Sequence, residues 1–378
     1  MAHDLEVLPP VEKPDSQVLV INPGSTSTKL SLYERRSLAA GATLLEENVA
    51  HRAQELESYP SIAAQFDIRR RVVEKTLATL KTPVKPLAVV GRGGLIRPGP
   101  GGIYAVNKDL LADLEEARYG EHASNLGAML AFALGESFGV PAYIADPVNT
   151  DELLPEARLS GFPGIERRGR AHTLNMKACA RAAAEELGRA LTDCRFVVAH
   201  LGGGTSIGAV VGGRIVDVND ALLGMGPMST QRAGALPIGP LVELAYSGRY
   251  TREELLAALG RRGGFLGYLG TDDAREVLRR ADAGDAEADL VHRAMVHQVT
   301  KEIGGMAVVA GPRLDGIILT GGLLRSRPIA GRLTSRIGHL ARVFAYPGEH
   351  EMSALATAGF RALAGAEPVQ TYRRAESG

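Results

Sequence analysis

The hydrophobic pattern near the start of the chain consists of short apolar runs separated by a polar turn. Residues 18–21 are apolar, residues 22–29 read NPGSTSTK, and residues 30–33 again resemble a strand. This pattern predicts a strand, a tight polar turn and a second strand. Successive N–H groups in such a turn form a concave site for anions, to which the four hydroxyls and the lysine can add. The segment therefore predicts a phosphate-binding turn, with an ordinary hairpin as the alternative.

The same order of runs recurs in the second half of the chain. An apolar run at residues 196–201 leads into the turn GGGTS at residues 202–206, and a strand-like run at residues 207–211 follows. A third strand is predicted at residues 214–218. Two such hairpins facing one another across a cleft could hold both ends of a phosphate chain.

Two other glycine motifs that bind nucleotides are excluded. A dinucleotide fingerprint needs the spacing G-x-G-x-x-G before a helix, whereas the glycines at 202, 204 and 208 are spaced one residue too widely and precede a strand. A Walker P-loop needs Gly-Lys before Ser or Thr, and the dipeptide Gly-Lys occurs nowhere in the sequence. A phosphate site in this chain therefore depends on the hairpin turns.

The remaining pattern predicts strands and helices that alternate in two similar halves. Further strands are predicted at residues 41–45, 87–90, 140–145 and 315–320, and helices at residues 61–80, 108–118, 123–138, 175–187, 286–309 and 351–364. This order predicts an α/β fold of two similar domains with mixed sheets flanked by helices and a cleft between them. We expect a flexible tail at residues 1–16, a first domain at residues 17–147 with 352–378, and a second domain at residues 148–351.

The composition is typical of a soluble globular protein with two ordinary domains. The chain has 378 residues, 45% hydrophobic and 23% charged, and its 43 basic and 43 acidic residues cancel, which argues against a nucleic-acid-binding protein. Cys179 and Cys194 lack the spacing of metal ligands, so we expect buried free thiols in a reducing compartment. The first sixteen residues lack the apolar core of a signal peptide and no apolar run is as long as a membrane span, so we expect a cytoplasmic location.

Two chemically useful side chains follow predicted strands. Arg92 lies in the string GRGG after the strand at residues 87–90, and Asp146 follows the strand at residues 140–145. Ligands of open α/β sheets bind at the carboxyl ends of strands, so both side chains are candidates for contact with a ligand. The alternatives are a surface arginine in a turn and an acid that caps a loop.

Six strings, in order along the chain, resemble one family. They are INPGSTSTK at residues 21–29, GEHASNLG at 120–127, AHLGGG at 199–204, VDVN at 216–219, LTGGL at 319–323 and YPGE at 346–349. Nearly the whole chain resembles butyrate kinases, a branch of the acetate kinase group in the superfamily of acetate and sugar kinases, chaperones and actin. Pro23 and the string GRGGL at residues 91–95 favour the butyrate branch.

The resemblance implies both a fold and a reaction. The fold is a pair of ribonuclease-H-like domains of the actin-like ATPase type, and the reaction is the reversible transfer ATP + butyrate = ADP + butyryl phosphate with Mg²⁺. It also implies a homo-oligomer, at least a dimer, whose ligands are a short-chain carboxylate and a nucleotide. Acetate, propionate and branched-chain carboxylate kinases are alternatives with the same chemistry. A nucleotide-dependent switch without catalysis is the alternative from another class.

The resemblance also implies catalytic roles for particular residues. Arg92 and Arg232 clamp the reacting anions, because a planar guanidinium can bind carboxylate or phosphoryl oxygens through two parallel hydrogen bonds. His172 donates a hydrogen bond to the phosphoryl group in transfer. Asp146 holds Mg²⁺ through water or orients an arginine, and His122 lies with Arg92 on the side of the carboxylate substrate.

The nucleotide and metal contacts implied by the resemblance come mainly from the two turns. The nucleotide contacts, including a third glycine turn beside adenosine, are Asn22, Ser25, Ser27, Lys29, His200, Gly202, Gly203, Gly204, Thr205, Gly321 and Gly322. The metal contacts are Asn22 and Glu351, with Glu349 as the alternative to Glu351.

Overall fold

The computed structural model describes residues 14–81 and 83–375, which form two compact units. Within these residues, the first unit runs to Asp151 and resumes at His350. The second unit is the continuous segment Glu152–Glu349. The chain therefore leaves the first unit once and returns to it with its last long helix.

The unit boundaries lie a few residues from those expected after residues 147 and 351. The segment after residue 147 stays with the first unit, where the Asp151 N–H donates to the Gly99 carbonyl at 2.7 Å. Of the tail expected at residues 1–16, residues 1–13 lie outside the described residues. Ser16 is buried, and its carbonyl accepts the Arg35 N–H at 3.1 Å, so the folded chain already includes the last residue of that tail.

Twelve β-strands occur in the described residues. They are β1 (Gln17–Pro23), β2 (Ser27–Glu34), β3 (Leu45–Ala50), β4 (Pro86–Arg92), β5 (Ile103–Ala105), β6 (Ala142–Ala145), β7 (Arg195–Leu201), β8 (Thr205–Val211), β9 (Arg214–Val218), β10 (Gly316–Gly321), β11 (Val343–Pro347) and β12 (Val369–Thr371). The central strands β1, β4, β7 and β10 are nearly continuous apolar runs because both of their faces are buried.

Fourteen α-helices occur in the same described residues. They are α1 (Arg35–Ala39), α2 (Ala53–Glu57), α3 (Phe66–Thr79), α4 (Lys108–Glu115), α5 (Asn125–Phe138), α6 (Pro155–Arg158), α7 (Thr173–Glu186), α8 (Ile238–Tyr246), α9 (Arg252–Arg261), α10 (Gly264–Leu269), α11 (Ala274–Asp282), α12 (Ala286–Ala310), α13 (Arg327–Ile337) and α14 (Glu351–Leu363). Within the described part of the chain, none of these helices has both the length and the apolar character needed to cross a membrane.

The two sheets repeat one arrangement of five strands. The first unit has the order β3-β2-β1-β4-β6, and the second has β9-β8-β7-β10-β11. In both, the first three strands pair antiparallel and the remaining pairs are parallel. The first sheet continues with β5, which is antiparallel to β6, and β12, which is parallel to β5. The predicted pair of similar α/β halves with mixed sheets is therefore confirmed.

One long helix forms much of the core of the second unit. Helix α12 packs on β7 and β8 through Val291, Met295, Val299 and Ile303, which follow one another at intervals of four residues and are almost completely buried. This spacing gives an apolar stripe along one side of the helix. The sequence prediction of a helix at residues 286–309 is confirmed, with its end at Ala310.

In the first unit, a direct backbone contact fixes the position of Arg92. A Cβ atom on Gly91 would lie 2.1 Å from the Gly127 carbonyl oxygen, so β4 and α5 can approach this closely only without side chains. The contact brings the end of β4, where Arg92 lies, against the first turns of α5, which begins at Asn125.

The predicted third strand at residues 41–45 is wrong. The strand begins only at Leu45, and its following residues Glu46, Glu47 and Asn48 are exposed. It is the edge of the sheet and pairs with β2 alone. Its position therefore depends on backbone hydrogen bonds with a neighbour, and an apolar pattern gives no signal for it.

Candidate functional site

The first hairpin turn is shorter than the sequence pattern predicted. Strand β1 ends at Pro23 and β2 begins at Ser27, so the turn contains residues 24–26 rather than 22–29. The Gly24 N–H closes the turn by donating to the Ser27 carbonyl at 2.7 Å.

The polar side chains of the predicted turn point to different places. The buried Thr28 hydroxyl lies 2.9 Å from the Nε2 atom of His51, so it belongs to the interior. Lys29 is exposed and lies opposite Asn22 in the strand register. Ser25 is also exposed, and its nucleotide contact stays a prediction.

A polar cavity of about 240 Å³ lies beside this turn in the first unit. Its walls are formed by Asn22, Pro23, Gly24, Ser27, Lys29, Arg92, His122, Ser124 and Glu351. Six residues predicted for phosphate, substrate or metal binding thus line one space, namely Asn22, Ser27, Lys29, Arg92, His122 and Glu351. Two cations and one anion among the lining residues favour a negatively charged ligand.

Arg92 and Glu351 form an ion pair at the edge of this cavity. Glu351 is the first residue of α14, where the helix dipole stabilises a negative charge. Its second carboxylate oxygen accepts a hydrogen bond from the Asn22 Nδ2 atom at 3.0 Å. Glu351 therefore orients both the guanidinium of Arg92 and the amide of Asn22.

His122 presents a neutral imidazole to the cavity. The Ser124 N–H donates to its Nδ1 atom at 3.2 Å, and the Ser124 hydroxyl lies 2.7 Å from the same atom. A ring nitrogen that accepts a backbone N–H carries no proton, so the ring proton is on Nε2. Burial lowers the pKa of His122 below its usual value, and the charge of Arg92 lowers it further. At neutral pH, His122 is thus an uncharged hydrogen-bond donor through Nε2.

Asp146 does not line this cavity. It follows β6, as the sequence predicted, with a positive φ of 40°. Its Oδ1 atom accepts the Gly102 N–H at 2.8 Å, which is the contact of an acid that caps a loop. Its action on Mg²⁺ or on an arginine stays a prediction.

In the second unit, the glycine turn lies where the sequence predicted it. Strand β7 ends at Leu201 and β8 begins at Thr205. Between them, the Gly202 N–H donates to the Gly204 carbonyl at 3.1 Å. This turn holds no side chains, so its surface is made of backbone atoms.

The guanidinium of Arg232 packs directly against the glycine turn. A Cβ atom on Gly204 would lie 2.0 Å from the Arg232 Nη1 atom, so only glycine leaves room for this side chain. Arg232 Nη1 also donates to the Ala221 carbonyl. The Ser229 hydroxyl donates to the Gly203 carbonyl at 2.6 Å and accepts the Arg232 N–H at 3.1 Å. Burial lowers the pKa of Arg232, yet an arginine stays ionised at neutral pH.

Two predicted histidines of the second unit are stacked on each other. The rings of His172 and His200 lie 3.9 Å apart with 12° between their planes. His172, at the N-cap of α7, has its Nδ1 atom 2.8 Å from the Ser206 hydroxyl. The Nδ1 atom of His200 lies 3.0 Å from the Asn175 Oδ1 atom, which can only accept, so His200 carries its proton on Nδ1.

An apolar cavity of about 560 Å³ lies next to Arg232. Its walls are formed by Thr205, Asn219, Asp220, Ala221, Leu222, Leu223, Gly224, Met225, Pro227, Ser229, Arg232, Ala233, Gly234, Ala235, Leu236, Ile238, Leu241, Leu256 and Leu259. Thr205, predicted to contact phosphate, is one of these lining residues, and its buried hydroxyl has no hydrogen-bond partner among the described residues. The cavity thus combines one cation, Arg232, and one anion, Asp220, with mostly apolar walls, and Asp220 is paired with Arg170 at 2.6 Å.

The third glycine turn lies at the end of β10. Gly321 and Gly348 exchange two backbone hydrogen bonds, of 3.1 and 3.0 Å, while a Cβ on Gly322 would meet open space. The predicted contact of Gly321 and Gly322 with adenosine stays a prediction. Glu349 belongs to the second unit and does not line the polar cavity that contains Glu351.

Sequence reasoning missed the residues that orient the histidines. Ser124 lies in one of the family strings, but for Asn175 the sequence pattern indicates only a helix and for Ser206 only a turn. Their partners lie 25 and 34 residues away in the sequence, so no local spacing signals the pairing. The walls of the apolar cavity were likewise not predicted.

The described residues contain no group of three or more His, Cys, Asp or Glu side chains arranged to hold a metal ion. Arg92 belongs to the first unit and Arg232 to the second, so their joint action as a clamp stays a prediction.

Comparison with known proteins points to one family. The sequence pattern of the acetokinase family matches residues 157–328. The chain is 41% identical over 357 residues to a probable butyrate kinase of Clostridium botulinum (strain Alaska E43 / Type E3), with 94% of this chain and 99% of that protein covered. It is 46% identical over 356 residues to a probable butyrate kinase of Listeria innocua serovar 6a, with the same coverage.

Solved structures show the same fold. The acetate kinase of Porphyromonas gingivalis superimposes with a TM-score of 0.72 at 20% identity, covering 92% of this chain and 100% of that one. A propionate kinase of Francisella tularensis superimposes with a TM-score of 0.69 at 20% identity, covering 91% and 98%. The predicted actin-like ATPase fold is therefore confirmed.

Proposed function

Because the chain belongs to the acetokinase family, we propose that it is a butyrate kinase, which transfers the terminal phosphoryl group of ATP to butyrate and runs reversibly. The apolar cavity beside Arg232 carries this proposal. A short-chain carboxylate has one negative charge and an alkyl tail, and the cavity offers the guanidinium of Arg232 and mostly apolar walls. The one acid in its lining, Asp220, is paired with Arg170. The names of the two relatives from Clostridium and Listeria support the same substrate.

The chemistry of a carboxylate acceptor suits guanidinium groups. A carboxylate is already ionised at neutral pH, so it needs no general base to become a nucleophile. One of its oxygens forms a bond to the terminal phosphorus of ATP while the bond from that phosphorus to the bridging oxygen breaks, and ADP leaves. The protein must therefore bring two anions together and stabilise the charge on the phosphoryl oxygens.

The proposed roles of the side chains follow from their environment. Arg92 and Arg232 bind oxygens of the reacting anions, and His172 donates to the phosphoryl group. His122, which is neutral and donates through Nε2, contacts an oxygen of the carboxylate without repelling Arg92. The two hairpin turns bind the phosphates of ATP through their N–H groups.

Mg²⁺ is proposed to accompany the nucleotide. The Glu351 carboxylate and the side-chain oxygen of Asn22 fit this ion, because Mg²⁺ prefers oxygen ligands and nucleotide-bound Mg²⁺ needs only one or two protein carboxylates. Bound there, the ion would neutralise charge on the phosphate oxygens.

A homo-oligomer and a cytoplasmic location are proposed as well. Cys179 and Cys194 are both buried and free, which is usual for proteins of a reducing compartment. The oligomeric state rests on the family resemblance.

A panel of acids tests the proposed reaction. The purified chain is incubated with ATP, Mg²⁺ and acetate, propionate, butyrate, isobutyrate, valerate or hexanoate, and the acyl phosphate is trapped as a hydroxamate. We expect kcat/KM for butyrate to exceed that for acetate by about tenfold or more, because each added methylene in a fitted apolar pocket is worth about 1–3 kcal/mol.

The outcomes separate the alternatives. A maximum at acetate or propionate would show a carboxylate kinase with a smaller acceptor, and a maximum at isobutyrate would show a branched-chain enzyme. Nucleotide binding without hydroxamate from any acid would contradict catalysis and favour the nucleotide-dependent switch.

A further inference from the structure

A fully buried arginine lies behind the first hairpin turn. Arg69 is in the first turn of α3, and its relative exposure is 0%. Its Nη1 atom donates to the Gly24 carbonyl at 2.8 Å and to the Ser27 carbonyl at 3.3 Å. Its Nη2 atom donates to the Ser25 carbonyl at 2.8 Å. One guanidinium therefore holds two carbonyls of the turn and the first carbonyl of β2.

Gln65 completes the surroundings of this guanidinium. Its Oε1 atom accepts from the Nε atom of Arg69 at 3.2 Å and from Nη2 at 3.0 Å. All five N–H groups of Arg69 can thus be satisfied by uncharged oxygens. Among residues 14–81 and 83–375, no carboxylate lies within ion-pair distance of Arg69. Because an unpaired buried charge is costly, this arrangement needs a reason beyond packing.

The orientation of the peptide groups supplies that reason. In a trans peptide the N–H points opposite to the C=O. Since the Gly24 and Ser25 carbonyls point toward Arg69, the N–H groups of Ser25 and Thr26 point away from it. These two N–H groups have no hydrogen-bond partner among the described residues. They form the outer face of the turn, with a positive charge behind them.

We infer that Arg69 is a positioning residue for phosphate: it fixes the turn at residues 24–26 so that the N–H groups of Ser25 and Thr26 are ready to bind phosphate oxygens of the nucleotide. In the sequence, nothing separates Arg69 from its exposed neighbours Arg70 and Arg71. This role rests on the proposed kinase function for its substrate, but the anion site itself does not depend on which acid is phosphorylated.

The test replaces Arg69 and separates nucleotide from carboxylate kinetics. In Arg69→Met the turn loses its donors, and we expect kcat/KM for ATP to fall by about 10²-fold, whereas the KM for the carboxylate changes by less than about twofold. A role in folding alone would lower the active fraction without changing either KM. An unchanged kcat/KM for ATP in a folded variant would overturn the inference.

Two further variants separate charge from geometry and keep the test valid if Arg69→Met does not fold. Arg69→Lys retains the buried charge but cannot hold carbonyls with a planar fork, so its KM for ATP should stay raised. Arg69→Ala should regain ATP turnover when guanidinium is added below denaturing concentration, whereas sodium at the same ionic strength should have no effect. An Arg69→Lys variant with the wild-type KM for ATP would contradict the positioning role.

A matched control comes from the next residue. Arg70 lies on the same helix and is 44% exposed in a pair with Glu74. The Arg70→Ala variant should therefore keep kcat and the KM values for ATP and the carboxylate within about twofold of the wild type. If the wild-type chain phosphorylates no acid, the proposed function fails, and equilibrium binding of ADP to wild type and Arg69→Met still tests this inference. Equal affinity of the two proteins for ADP would then overturn it.

Discussion

The two hairpin turns have the same topology but differ in their residue types and in how an arginine contacts them. The turn between β1 and β2 is rich in hydroxyls, and a buried guanidinium holds its carbonyls from behind. The turn between β7 and β8 is made of three glycines, and the guanidinium of Arg232 lies directly against it. The first adjoins a polar cavity and the second an apolar one.

This difference shows how one repeated fold can provide two kinds of binding surface. In the first unit, the arginine in contact with the turn is buried behind it, and Arg92 at the end of a neighbouring strand lines the cavity. In the second unit, the glycines leave space for Arg232, which is both in contact with the turn and part of a cavity wall. Repetition of strands therefore does not imply repetition of chemistry.

The largest expected effect is the loss of Arg232. Arg232→Ala removes the cation from the apolar cavity and should lower kcat/KM for the carboxylate by about 10²–10³-fold, since a charged hydrogen bond is worth about 1.5–3 kcal/mol and alignment is lost as well. Steady-state hydroxamate assays measure this loss, and thermal unfolding should be nearly unchanged.

Arg279→Ala is the control for Arg232→Ala in the same unit. Arg279 is 71% exposed and paired with Glu276, so its loss should leave turnover within about twofold. A fully active Arg232→Ala variant would mean that the apolar cavity binds no carboxylate.

The next effect concerns the buried basic groups of the two units. Burial lowers the pKa of Arg69 in the first unit, yet an arginine stays ionised at neutral pH. In the second unit, burial lowers the pKa of His292 to about 4, and the charge of Arg332 contributes. Since the unfolded histidine has a pKa near 6.5, the unfolded state binds more protons between these values, and stability is lost as pH falls from about 6.5 toward about 4.

At pH 5 this single group should cost about 2 kcal/mol relative to pH 7. Urea unfolding at the two pH values measures the difference, and His292→Gln, which can still accept from Arg332, should remove most of it. An equal loss of stability in wild type and His292→Gln would place the acid sensitivity elsewhere.

The smallest expected effect comes from adding one methyl group, as a glycine-to-alanine substitution, to each of the two turns. In Gly204→Ala the new Cβ would meet the Arg232 guanidinium at 2.0 Å, whereas in Gly24→Ala it would meet only the Ser27 carbonyl at 3.5 Å and its hydroxyl at 3.7 Å. The side chain of Arg232 can swing away, so Gly204→Ala should keep its melting temperature and lose about tenfold in kcat/KM for the carboxylate.

Gly24→Ala serves as the matched variant and should lose less than about threefold. Equal losses in both turns would show that Arg232 does not depend on the glycine turn for its position.

Much of the fold could be predicted because its signals are local. The runs that became β1, β7 and β10 are apolar because both faces of each strand are buried, and helix α12 shows its stripe at regular spacing. The end residues of such strands follow directly, so the strand pattern alone makes Arg92 a candidate, whereas His200 is a candidate through the family resemblance. The edge strand β3 escaped prediction because its exposed, acidic sequence carries no such signal.

The contacts that prepare the site depend on residues far apart in the chain. Arg69 meets Gly24 across 45 residues, and Asn22 meets Glu351 across 329. No spacing in the sequence tells which arginine is buried behind a turn and which lines a cavity, because that depends on how helices pack on the sheets. Amino-acid order thus specifies strands, turns and candidate charges, and the packing of distant segments gives each charge its partner, since hydrogen bonds and burial act over space rather than along the chain.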